Sequence, residues 1–186
     1  MTGPTPAFRR VGVEEIYRGY VIKVTNASFE GPAGERFTRD VIYSPGAVGI
    51  IPVLDGPDGP HTLLVRQYRA SIEDWLMEIP AGLRDKPGED PAETAARELI
   101  EETGFAAERF DLLTVFLNAA GMTDQRTHLY LARDLTEVGA SADGVEETYL
   151  ELHRIALRDI RGMIERCELT DAKTIIGLLL ARELRS

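Results

Sequence analysis

Between residues 82 and 105 the chain reads GLRDKPGEDPAETAARELIEETGF, and no other stretch constrains the fold as tightly. Asp90-Pro91-Ala92-Glu93 has the make-up of a helix start. An acid stands at the N-cap, a proline at the first helical position where its missing N–H is no loss, and a glutamate is placed to return a hydrogen bond to the cap. Gly104 supplies the stop, because glycine adopts the left-handed turn that ends a helix without steric strain. A helix of roughly thirteen residues is predicted between these signals. At 100° per residue, Glu98, Glu101 and Glu102 fall within an arc of about 100°. Ala92, Ala95, Ala96, Leu99 and Thr103 occupy a different face. Alanines permit close approach, so the helix is expected to sit hard against a sheet and carry its three carboxylates on a firm element.

The remaining segments supply that sheet. Ala47 to Leu54 (AVGIIPVL) reads as a buried strand, followed by a hairpin tip at residues 55–60 and a second strand from Thr62 to Gln67. Trp75 to Ile79, Phe110 to Leu117, Thr127 to Ala132 and Glu151 to Ile155 are further strand candidates. Upstream, Tyr20 to Val24 and Phe37 to Ile42 alternate, with Asn26 to Gly34 read as a turn-containing segment between them. Helices are expected over Leu157 to Glu165 and Asp171 to Leu184. Strands interleaved with few helices point to the α/β class, a mixed sheet sandwiched by helices. An amino-terminal strand segment, residues 1–45, precedes a main domain over 46–186.

Composition narrows the function. The 186 residues include 31 acidic and 21 basic side chains, a formal net charge of −10. That balance repels a nucleic-acid backbone or an anionic membrane surface. It also repels phosphorylated small molecules unless a cation or a basic patch inverts the field, so phosphate chemistry here calls for metal. No window approaches eighteen consecutive apolar residues, and residues 1–10 lack the apolar run of a signal peptide. Cys167, the single cysteine, cannot form an internal disulfide and reads as a small buried hydrophobe. A reducing, cytoplasmic setting is the simplest expectation.

Three glutamates crowded on one helix face destabilise it and raise one another's pKa unless a cation fills the gap. Carboxylate oxygens suit a hard ion, Mg²⁺ or Mn²⁺, which keeps waters and bridges to substrate phosphate. Arg97, four residues before Glu101, can partly neutralise and orient the acids. Alone, such a cluster would be an ordinary solvated acidic face. The wider spacing argues otherwise.

Gly82, Glu89, Arg97, Glu98, Leu99, Glu101, Glu102, Gly104 and Phe105 fill in order the pattern G-x5-E-x7-R-E-U-x-E-E-x-G-U, with one extra residue between Gly82 and Glu89. On these residues the chain resembles the Nudix hydrolases, and SPGAVGIIPVL (44–54), LLVRQYR (63–69), MEIPAGL (77–83) and DAKTIIGLLLA (171–181) resemble the ADP-ribose pyrophosphatases among them. The resemblance implies an α/β/α sandwich with an amino-terminal antiparallel strand extension that serves homodimerisation and substrate contact. It implies metal ligation of two or three ions by Glu98, Glu101, Glu102 and the Ala81 carbonyl. Arg69 would contact the diphosphate, with Glu78 and Arg97 also on the substrate side. Catalysis would involve Glu101 and a glutamate of the loop ASADGVEETYLEL, either Glu146 or Glu147, that positions the attacking water. The implied reaction is hydrolysis of ADP-ribose to AMP and ribose 5-phosphate. One departure is Ala120, where the subgroup carries proline. It leaves open another nucleoside-diphosphate sugar such as GDP-mannose, or an oxidised nucleotide, as substrate. A third reading, a non-catalytic ADP-ribose sensor, is disfavoured by the intact acids. Tyr17, Tyr20, Phe29 and Trp75 are the candidates for stacking a base.

Overall fold

Ala47–Leu54 forms the strand around which the main sheet is organised, and its sequence explains why. Six successive residues, Val48 to Val53, are buried. A strand covered on both faces has no polar side, so it reads as a continuous apolar run rather than an alternation. The computed structural model describes residues 7–139 and 148–184. Its strands are β1 (Arg9–Arg18), β2 (Lys23–Glu30), β3 (Arg36–Tyr43), β4 (Ala47–Leu54), β5 (His61–Arg69), β6 (Asp74–Glu78), β7 (Ala81–Leu83), β8 (Phe105–Leu117), β9 (Arg126–Glu137) and β10 (Glu151–Ala156). Its helices are α1 (Pro91–Thr103), α2 (Ile160–Glu165) and α3 (Ala172–Glu183).

The chain divides into two compact units, one running to Gly46 together with Leu117–Arg126, the other formed by the rest. In the larger unit a seven-stranded sheet runs β10-β5-β4-β9-β8, with β6 added on β5 and β7 on β4. β4 lies parallel to β9 and antiparallel to β5 and β7, so the sheet is mixed. Side chains of β4 and β9 separate by parity. Val48, Ile50, Tyr130 and Ala132 pack with Ala95 and Leu99 of α1. Ile51, Val53, Leu129 and Leu131 pack with Ile79, Leu157, Ile160, Leu169 and Leu178, which include residues of α2 and α3. The predicted sandwich of helices around a mixed sheet is the observed one.

The α1 boundaries follow the sequence signals. Asp90 accepts a hydrogen bond from the Ala92 N–H (2.8 Å), and Glu93 accepts one from the Asp90 N–H (3.1 Å). Gly104 closes the helix at φ 73°, its N–H donating to the Ile100 carbonyl.

The smaller unit departs further from expectation. Its three strands pair antiparallel in the order β1-β2-β3. Asn26 is not in a turn but in β2, where its amide donates across the ladder to Asp40 (2.8 Å). The reversal lies later, where Gly31 N–H donates to the Glu35 carbonyl (2.8 Å). β1 carries no readable strand signal because all ten of its residues are exposed, so no buried face imposes an alternation. β8 and β9 are longer than predicted, and β8 ends the strand order of its sheet, where charged side chains such as Glu108 and Asp111 meet water. Cys167 is also corrected. It is exposed, at φ 58°, in the turn after α2, its N–H donating to Ile164.

Asp90→Ala removes the side-chain arm of the α1 start signal and leaves the backbone N–H that donates to Glu93. It is expected to lower unfolding free energy by about 1 kcal/mol, measured by urea titration.

Candidate active site

The acidic helix is held to the sheet through a strand three residues long. β7 pairs with β4, matching Ala81 to Gly49 and Gly82 to Val48. On its other side the Ala81 N–H donates to Glu102 Oε2 (3.0 Å). Gly82 lies so close to Glu98 that a Cβ there would stand 2.0 Å from the Glu98 carboxyl carbon. Glycine at 82 therefore leaves the space that the Glu98 carboxyl occupies. Ala95 and Leu99, fully buried against β4, set the distance from the helix to the sheet.

Glu102 is 9% exposed. Burial pushes its carboxyl up to about 8; the Ala81 N–H works in the opposite direction and the Glu98 charge adds to the rise. Arg97 gathers the other acids. Its Nη1 donates to Glu98 Oε1 (2.6 Å) and Glu101 Oε2 (2.8 Å), while Nε and Nη2 donate to the two oxygens of Glu89 (3.3 Å each). Burial works against its charge, yet the bonds to Glu89, Glu98 and Glu101 hold its pKa above the usual value. Glu89 therefore joins the cluster despite the extra residue before it. The insertion is absorbed in the 86–89 turn, with Gly88 at φ 82°, and Glu89 also accepts from Thr94 Oγ1 (2.9 Å). The hydrogen bonds from Arg97 and Thr94 lower the pKa of Glu89.

Among the described residues no three acids, histidines or cysteines converge at metal-ligating spacing, and Arg97 Nη1 bonds both Glu98 and Glu101. The donors nevertheless fit a hard divalent cation. The side-chain donors are carboxylate oxygens, the Glu98 carboxyl occupies a recess that any side chain at 82 would fill, and Glu102 is an acid whose ionised form burial penalises, a cost that a cation would offset.

Arg69 ends β5 and donates through Nε (2.6 Å) and Nη2 (2.9 Å) to Glu78, which is 1% exposed. Glu78 is also bonded by Lys173 at the start of α3. Lys173 has no role in the sequence reading, although the DAKT segment that contains it is part of the resemblance. Arg66, three residues before Arg69, pairs with Glu151 (3.2 Å) and lies over the Trp75 ring at 4.7 Å. Glu146 and Glu147 lie outside the described residues.

In the smaller unit, Arg10, Phe29, Arg39, Val41 and Tyr43 line a cleft of about 630 Å³ with residues 117 and 120–124. Ala120 is among them. The loop is tied to β3 by the Ile42 N–H to the Met122 carbonyl (2.8 Å) and to Ser44 N–H by Asp124 Oδ1 (3.1 Å). Phe29 stacks on Phe37 with ring centroids 5.5 Å apart, whereas Tyr17 and Tyr20 are exposed.

A glutamate-bearing helix clamped to a mixed sheet, with an arginine on a buried carboxylate nearby, is the kind of site that hydrolyses phosphoanhydrides with a divalent cation. The NUDIX domain family matches residues 44–165. The chain belongs to the Nudix family and is a pyrophosphohydrolase of that family. It is 34% identical over 170 residues to an ADP-ribose pyrophosphatase of Bacillus subtilis, covering 91% of this chain and 90% of that protein. It is 33% identical over 172 residues to an ADP-ribose pyrophosphatase of Mycobacterium tuberculosis, covering 92% and 82%. A crystal structure of an ADP compounds hydrolase superposes with a TM-score of 0.82 at 26% identity, covering 99% of this chain and 96% of that one.

Gly82→Ala is expected to displace the Glu98 carboxylate, the mobile partner in the clash, and leave the sheet in place. Thermal melting should change little while hydrolytic turnover falls by about 100-fold or more. Activity near that of the parent protein would show that Glu98 need not occupy this recess.

Proposed function

We propose that the protein hydrolyses the diphosphate of a nucleoside-diphosphate-linked sugar, with ADP-ribose the leading substrate, giving AMP and ribose 5-phosphate. The observation that carries this reading is the seating of Glu98 and Glu102 against Gly82 and the Ala81 N–H, which fixes an all-oxygen donor set on a rigid element. Its relatives named as ADP-ribose pyrophosphatases support the choice of substrate. Glu98, Glu101, Glu102 and the Ala81 carbonyl are the proposed ligands of two or three ions, Mg²⁺ foremost and Mn²⁺ the alternative. Such ions neutralise non-bridging oxygens of a diphosphate and acidify bound water.

The chain's own residues do the rest. Arg97 holds Glu98 and Glu101 in place and reaches the substrate through them. Arg69 supplies guanidinium N–H groups to the diphosphate. Glu146 or Glu147, on the resemblance alone, positions the water for in-line attack. Ala120, lining the cleft of the smaller unit, favours keeping GDP-mannose or another nucleotide sugar as the second reading. Homodimerisation through the amino-terminal strands belongs to the same proposal, supported by the apolar side chains Val13, Ile16 and Tyr17 that β1 leaves exposed. A cytoplasmic setting rests on the lone Cys167. Among the described residues no helix is long and apolar enough to cross a membrane.

A screen of nucleoside-diphosphate compounds, with and without Mg²⁺ and read by mononucleotide release, tests the assignment. ADP-ribose should be cleaved fastest and only with the metal; a faster rate on GDP-mannose moves the substrate to the second reading. Glu102→Gln keeps the shape and an oxygen for the Ala81 N–H, and it replaces an acid whose ionised form burial already disfavours, so melting should not fall. Its turnover should drop by roughly 100- to 1,000-fold, the scale of losing one preorganised electrostatic contact. Sedimentation at micromolar concentration should show a dimer, and a monomer would sink the dimer proposal.

A further inference from the structure

The buried carboxylate of Glu78 is shared by two cations from opposite ends of the larger unit's sequence. Glu78 Oε1 accepts from Arg69 Nε and Oε2 from Arg69 Nη2, and Lys173 Nζ also bonds Oε2. Both oxygens of Glu78 are engaged and the residue is 1% exposed. Arg69 differs. A guanidinium presents five N–H groups, and binding a carboxylate along its Nε–Nη2 side leaves Nη1 and the outer N–H of Nη2. Among the described residues nothing takes Nη1, and the side chain is 35% exposed. Of the three N–H groups that remain, one on each Nη forms a fork that matches two oxygens of a phosphate.

Lys173 is itself built in. Its side chain is 14% exposed, and Nζ lies 3.0 Å from Asp171 Oδ2. Asp171 caps α3, accepting from the Thr174 N–H (2.9 Å) and the Thr174 hydroxyl (2.6 Å). The same hydroxyl oxygen accepts from the Ile79 N–H (2.9 Å). The first turn of α3 thus grips the end of β6 twice, at Glu78 and at Ile79, immediately before Pro80 and the metal-side strand β7.

We infer that Lys173 is a positioning residue for Arg69, an assignment that rests on the diphosphatase reading above. Alone, the bidentate Arg69–Glu78 pair would cancel its own charge. With Lys173 sharing Oε2, Glu78 is held by α3 as well, and with Asp171 on the other side of Lys173 the four charges sum to zero, so what Lys173 adds is a fixed Glu78 for Arg69 to lean on. Asp171 balances Lys173 on the helix side, where two Thr174 donors already satisfy it. Lys173 therefore fixes the rotamer of Arg69, and with it the outer fork offered to a diphosphate, without touching the substrate.

The test uses Lys173→Met, Lys173→Gln and Lys173→Arg in the full chain. Each is measured for ADP-ribose hydrolysis in Mg²⁺ and for the ¹⁵N NMR signal of the Arg69 Nε–H, assigned by its loss in Arg69→Lys. In Lys173→Met and Lys173→Gln, kcat/KM is expected to fall about tenfold or more, carried mainly by KM. The Mg²⁺ concentration for half activation should be unchanged, and Lys173→Arg should recover most of the loss. The Arg69 Nε–H, sharp and slowly exchanging in the parent protein, should exchange rapidly in the neutral variants. A merely structural lysine would lower kcat with the folded fraction and leave KM alone; that result overturns the inference. So does an unchanged Arg69 signal in whichever neutral variant folds. Should the parent protein cleave no nucleotide compound, the diphosphatase reading fails, and the Arg69 signal still decides whether Lys173 positions that side chain.

Discussion

Glu102 is an acid in a place where acids are penalised, and one backbone amide accompanies it there. The Ala81 N–H bonds it from a strand that is itself paired to the centre of the sheet, so the carboxylate and the sheet are joined by two consecutive hydrogen-bonded steps. That join is possible only because α1 approaches so closely. Ala95 and Leu99 allow the approach, and Gly82 leaves room for the neighbouring Glu98 carboxyl. A methyl group at residue 82 would fill the recess that the Glu98 carboxyl now occupies. The chemistry proposed for the site depends on this spacing more than on any single ligand.

Two linkages converge on the short run from Glu78 to Gly82. One side is tied to α1 through Glu102, the other to α3 through Lys173 and Thr174. The segment between them, Ile79 and Pro80, is held as well, since Ile79 is fully buried and the Pro80 carbonyl accepts from the Ile50 N–H (2.8 Å). A chain with a formal charge of −10 thereby builds, beside its densest acids, a pair of basic groups fixed on a common buried anion.

Much of this was legible in the residues. The α1 caps, the apolar run of β4 and the spacing of Glu98, Glu101 and Glu102 are local signals, written within a turn or two of helix or a single strand. What could not be read was long-range. Lys173 meets Glu78 across 95 residues, and nothing in DAKT states which carboxylate it will find. Glu89 looked displaced by the extra residue, but the 86–89 turn returns it to Arg97. β1 escaped because a strand wet on both faces has no pattern to display. Cys167 was placed inside on the habit of its residue type, whereas a left-handed turn carries it to the surface.

Arg97 has one more consequence. The acids it bonds are already assembled around a positive charge, so a divalent ion reaching for Glu98 and Glu101 must compete for oxygens that are in use. Its net electrostatic gain is smaller than for bare carboxylates. If Glu98 and Glu101 are ligands as proposed, Arg97 would have to yield those oxygens when an ion enters and take them back when it leaves.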